Sequence, residues 1–188
     1  MVTLGVQTGR KAWSSLLRQI ELAAQERAKE AELDMGEPGA TDVLRRLLCE
    51  EVDEWRSEYR GGRQSLDIVD PDGAVERAPR NLVGYGPLEA LLSDPDVWEI
   101  MINGPSSIFV KRRSASGGFH DEVFHDDEHV TRVITKILED SSASHRKLDP
   151  AEGLQDAQLD DGARMHIVHA DVGRDGQASE RTYSGVRA

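Results

Sequence analysis

A change of period along the chain constrains its fold more than any single motif. From Lys11 to Glu32 the apolar positions Trp13, Leu16, Leu17, Ile20, Ala24, Ala28 and Ala31 recur at helical spacing, with Arg18, Gln19, Glu21, Gln25 and Glu26 elsewhere on the wheel. Asp34 to Ala40, with two glycines and a proline, suits a connection. Thr41 is a candidate N-cap, and Leu44, Leu47, Leu48, Val52, Trp55 and Tyr59 form a second stripe that Gly61 and Gly62 end. Two amphipathic helices with a short connection predict a helical hairpin whose tryptophans belong to the core.

Beyond Gly62 that periodicity stops. The interval 63–81 is polar, carries the turn signal Asp70-Pro71-Asp72-Gly73, and has Pro79 where a helix interior would lose a hydrogen bond, so it reads as a linker. Short elements follow. Leu88 to Leu92 reads as a helical turn, and Trp98 to Ile102, Ile108 to Lys111 and Phe119 to Val123 read as strands. Glu128 to Leu138 restores helical spacing through Val130, Val133, Ile134 and Ile137. Ala157 to Leu159 and Arg164 to His169 read as strands around an Asp160-Asp161-Gly162 corner, where glycine accepts a positive φ, and Arg181 to Tyr183 as a last short strand. The fold class is α+β: an N-terminal helical hairpin followed by an antiparallel sheet with flanking helices.

Composition narrows the functional classes. A net charge of -12 argues against non-specific nucleic-acid binding, which needs clustered lysines and arginines. The single cysteine, Cys49, falls in a helical stripe and is expected to be a small buried hydrophobe. No apolar run approaches the ~20 residues that span a bilayer and no secretory leader pattern opens the chain, so the expected compartment is cytoplasmic. No Gly-Lys pair occurs, and therefore no P-loop; no G-x-S-x-G elbow occurs either. His125, Glu128 and His129 match H-x-x-E-H, but Asp126 and Asp127 read as a helix start that leaves His125 outside the first turn, which favours a solvated helix start over a zinc hydrolase.

One stretch carries a more specific signal. Tyr85 to Pro105, YGPLEALLSDPDVWEIMINGP, resembles the signature that opens the N-terminal domain of type II/IV secretion-system ATPases, especially the CpaF-like, tight-adherence pilus branch. The matching pieces are Gly86-Pro87-Leu88-Glu89, Leu91-Leu92, Asp94-Pro95-Asp96 and Glu99 to Gly104. The resemblance continues through Ile108 to Lys111, Val130 to Leu138 and Asp156 to Arg164, in the family's order from about Leu82 to Gly185.

The resemblance implies a PAS-like α+β domain over 82–185, preceded by a helical hairpin region over 1–62 and a linker over 63–81, with 186–188 as the start of a truncated interdomain linker. It also implies a RecA-like domain, absent from this sequence, that binds ATP and magnesium, a hexameric ring, and inner-membrane secretion platform proteins as partners. The expected location is the cytoplasm or the inner face of the cell membrane, with no nucleic acid bound. Arginines of the N-terminal domain reach ATP held by the other domain; here Arg164 matches one such position, Gln158 replaces a second arginine by a neutral amide, and Arg181 is a further candidate. On this reading the chain alone hydrolyses no ATP and holds no cofactor stably. The alternative is a stand-alone regulatory or interaction module that no longer binds nucleotide.

Overall fold

The computed structural model describes residues 3–34, 37–142, 148, 154–168 and 182–186, with backbone only for 3–14 and 182–186. Contacts divide the chain into two compact units, Met1–Gly86 and Pro87–Ala188.

Among the described residues the first unit contains three helices, α1 (Thr3–Glu30), α2 (Ala40–Arg60) and α3 (Pro71–Val83). Leu16, Leu17, Ile20 and Ala24 of α1 bury against Leu44, Leu48 and Val52 of α2, and Ile68, Ala74 and Ala78 complete the cluster. Trp55 packs on this core, and its indole N–H donates to the Leu66 carbonyl at 2.9 Å. A buried carboxylate is tolerable only with hydrogen-bond partners; Glu21 of α1, 3% exposed, accepts from the Asn81 side-chain amide of α3 at 2.8 Å.

Three expectations are corrected here. The interval read as a linker carries α3. Asp70 is its N-cap, accepting from the Gly73 N–H at 3.0 Å, with Pro71 in the first turn, where its missing N–H costs nothing. Pro79 lies inside this helix and is itself buried, as are Ala74, Ala78 and Asn81, so tertiary burial outweighs the lost backbone bond. Second, α2 begins one residue before Thr41, with Gly39 at the N-cap and no side-chain cap. Third, Cys49 is exposed: it lies next to Leu48 in sequence, about 100° further round the wheel and off the buried stripe.

The second unit is α+β, as expected. A 3-10 turn at Gly86–Leu88 leads into the short helix α4 (Glu89–Ser93) and strand β1 (Val97–Asn103). Gly104, at φ 94, makes the corner to β2 (Ile108–Arg112). A two-residue strand β3 (Gly118–Phe119), helix α5 (Asp127–Asp140), and strands β4 (Leu154–Gln158), β5 (Arg164–Val168) and β6 (Thr182–Val186) complete the unit. The third strand is shorter than expected. The strand anticipated at Arg181 to Tyr183 lies one residue later and extends through Val186, which falls in β6 and not in a linker.

All six strands form one sheet in the order β3-β2-β1-β6-β5-β4, with every neighbouring pair antiparallel. The last strand in sequence therefore lies at the centre, between β1 and β5. Gln155, Ala157, Met165 and Ile167 are buried, while Leu154, Asp156, Gln158, Arg164 and His166 are exposed, so β4 and β5 alternate as a sheet with one covered face. Helix α5 buries Val130, Val133, Ile134, Ile137 and Leu138. No helix among the described residues is long and apolar enough to cross a membrane.

Candidate functional site

The strand alternation that buries Met165 and Ile167 forces Arg164 outward. A slip of one residue would bury the guanidinium and expose both apolar side chains, so burial fixes the register. In that register Gln158 stands directly opposite Arg164 across the β4–β5 ladder. Side chains so placed have Cβ atoms about 5 Å apart. The two positions singled out from the sequence thus form one cross-strand pair on the exposed face.

The corner between them is a short, fully specified loop. The Leu159 N–H donates to the Ala163 carbonyl at 2.8 Å, the Gly162 N–H to the Leu159 carbonyl at 3.0 Å, and Gly162 adopts φ 84. The Asp161 carboxylate accepts from the Ala163 N–H at 3.0 Å. Asp160 reaches much further along the chain. It accepts from the Ser142 N–H at 3.1 Å and from the hydroxyls of Ser141 and Ser142 at 3.2 and 3.0 Å, fastening the hairpin corner to the residues that follow α5.

Register pairing places Lys111, Glu99, Val186, Arg164 and Gln158 in one transverse row over five strands. Lys111 is neutralised by Glu99, Nζ to Oε2 2.6 Å. In the next row His166 pairs with Asp156. Arg164 makes no hydrogen bond or ion pair among the described residues, so it is the uncompensated cation of this part of the sheet. Arg181 lies outside the described residues, and the third position implied by the resemblance has no geometry to report.

The zinc-like motif is only partly assembled: the His125 and His129 rings lie 4.8 Å apart, and no third ligand joins them among the described residues. Asp126 caps α5 by accepting from the His129 N–H at 2.8 Å, which leaves His125 before the helix. His129 is buried edge-on to Phe124, its Nδ1 accepts from the His125 backbone N–H at 3.2 Å, and Glu128 is exposed. Among the described residues no cluster of three or more His, Cys, Asp or Glu side chains could hold a metal ion.

A cleft of about 50 Å³ opens beside the hairpin corner. Leu88 and Leu92 near the chain entry, Ile100 and Ile102 of β1, Ile134 and Ile137 of α5 and Met165 of β5 line it, together with Trp98, Glu99, Asp161 and Arg164. A pairing irregularity between Val97 and Glu99 takes Trp98 out of the ladder, and the indole stays 43% exposed.

His120, which sequence reasoning passed over, follows β3 directly. Its imidazole is hydrogen-bonded to the Pro87 carbonyl, tying the residue after β3 to the Gly86-Pro87-Leu88 turn, and its Nε2 is buried with no hydrogen bond among the described residues. Burial, the largest influence, holds its pKa below the ordinary histidine value; Glu122, Asp121 and the Pro87 bond oppose the shift, and Arg112 adds to it. Nothing local in the sequence marks His120, because its partner lies over thirty positions earlier.

No family model matches this sequence, and no curated protein matches it. Among solved structures, the chain is similar to the VirB11 ATPase from the Brucella suis type IV secretion system in complex with sulphate, at 23% identity over 54% of this chain and a TM-score of 0.42. The match spans 29% of that structure's chain. At that level of identity and superposition the likeness decides neither fold nor function for this chain.

Two outcomes are expected. Asp160→Ala should cost about 1–3 kcal/mol of unfolding free energy in urea titrations, since it removes a charged acceptor of several hydrogen bonds; an unchanged midpoint would show that the corner needs no fastening. For His120, the unfolded chain takes up a proton near pH 6.5, about the unperturbed value, and the folded chain only at lower pH. The stability it contributes is therefore complete above about pH 6.5 and lost as pH falls through the lower folded value. The urea midpoint should drop between about pH 7.5 and 5.5, and the drop should be smaller in His120→Gln.

Proposed function

We propose that this chain is the N-terminal portion of a type II/IV secretion-system ATPase of the CpaF-like branch, contributing to ring assembly and presenting Arg164 to a nucleotide bound by a RecA-like domain. The observation that carries this reading is the cross-strand pair: the position matching a family arginine is exposed and without an ion pair among the described residues, and the second matching position, Gln158, lies directly opposite it. The signature residues Gly86 to Gly104 add support, since they make up one continuous turn, helix and strand that end in the Gly104 corner.

The proposed chemistry is electrostatic. A guanidinium is planar and permanently charged, so it can give two parallel N–H bonds to phosphate oxygens, and it acts most strongly where charge develops during transfer. Gln158 adds one amide donor and no charge, so this chain brings a weaker positive field than a two-arginine hairpin. Magnesium and the phosphate-cradling loop would come from the RecA-like domain, and the proposed partners are further copies in a ring and the membrane platform of the secretion apparatus. A second reading, an interaction module without nucleotide contact, is favoured by the loss of charge at Gln158.

Phosphate-release assays separate the two. The chain alone should release no phosphate above the buffer blank. Combined with a P-loop-bearing RecA-like domain of such an ATPase, Arg164→Ala should lower turnover by roughly ten- to a hundredfold and Gln158→Arg should raise it. Turnover by the chain alone, or turnover indifferent to Arg164, would overturn the proposal.

A further inference from the structure

The exposed face of β4 and β5 carries a second arrangement, in the row next to Arg164. Asp156 and His166 are direct cross-strand partners, and the Asp156 Oδ1 meets the His166 Nδ1. An ionised carboxylate can only accept, so Nδ1 carries the hydrogen that is donated, and in the neutral ring the lone pair is left on Nε2. Nε2 makes no hydrogen bond among the described residues, and the His166 side chain is 48% exposed, so a solute can reach this nitrogen.

An imidazole held in one tautomer by a carboxylate is a prepared nucleophile. When Nε2 attacks, the ring becomes cationic, and the carboxylate stabilises the proton that stays on Nδ1. The neighbour on the same strand selects the electrophile. Arg164 lies two residues before His166 on the same exposed face, with Cα atoms about 6.7 Å apart. A guanidinium binds phosphoryl oxygens through paired N–H donors, whereas an acyl group offers it no such anion.

We propose that His166 is a phosphoryl-acceptor histidine, modified at Nε2 by a donor of the phosphoramidate class, with Asp156 as its positioning residue and Arg164 holding the phosphoryl oxygens. In this step the Nε2 lone pair forms a new P–N bond, the donor's own P–N bond breaks, and the donor's protonated amino nitrogen leaves as ammonia. The Nδ1 proton stays in its bond to Asp156, and nothing is oxidised or reduced. The site needs neither a RecA-like domain nor the nucleotide reading. A phosphoryl group on His166 engages Arg164, so modification and a nucleotide contact by Arg164 exclude each other.

The test incubates the full chain with potassium phosphoramidate and follows the product by phosphorus NMR and peptide mass spectrometry under alkaline conditions, which preserve phosphohistidine. His166 should react about tenfold faster than N-acetylhistidine, the combined effect of two exposed charge contacts, and faster than the other five histidines. The product should be the Nε2 isomer alone. Arg164→Gln should lower the rate about threefold and keep that isomer. Asp156→Ala should slow the reaction and free Nδ1, giving both isomers, which a merely structural role for Asp156 would not produce. All three side chains are exposed, so the variants should fold, and unchanged circular dichroism checks this. A rate no greater than that of N-acetylhistidine, modification spread evenly over the histidines, a rate indifferent to Arg164→Gln, or an Nε2-only product from Asp156→Ala would each overturn the proposal.

Discussion

The second unit depends on how the β4–β5 hairpin is held. Its own ladder sets the register, because Met165 and Ile167 must face inward, and Asp160 then fastens the corner to Ser141 and Ser142 at the end of α5. The end of the helix and the hairpin corner are thereby fixed to each other. Arg164 is the first residue of the strand that leaves this point, and its side chain is exposed.

The same sheet explains why Arg164 is distinctive. Lys111 and His166, on the same face, are held by Glu99 and Asp156. Gln158, across the ladder, cannot neutralise Arg164 and cannot reinforce its charge. Among the described residues the hairpin consequently presents one exposed guanidinium, and the nucleotide reading draws on that residue.

Much of this was legible in the sequence where a local rule applied. The helical stripes of α1 and α2, the Asp-Gly corner with Gly162 at positive φ, and the outward position of Arg164 all follow from period and turn chemistry. What was missed had its cause at long range. Asp70-Pro71-Asp72-Gly73 spells a turn and a helix start equally well, and the choice was made by Ala74, Ala78 and Asn81 finding a core contributed by α1 and α2. Asp160 and His120 act through Ser141, Ser142 and Pro87, residues far from them in sequence, and no window of a few positions could have paired them. Cys49 was misplaced by one step round the wheel.

The central claim is that Arg164 is presented to the terminal phosphate of a nucleotide held elsewhere. The most direct measurement follows the Arg164 side-chain Nε–H signal by NMR while the chain is combined with a P-loop-bearing RecA-like domain, loaded first with ADP and then with a non-hydrolysable ATP analogue. The account predicts a shifted, exchange-protected signal that appears with the ATP analogue and not with ADP. A signal that stays at its solvent-exposed position in both states would contradict it.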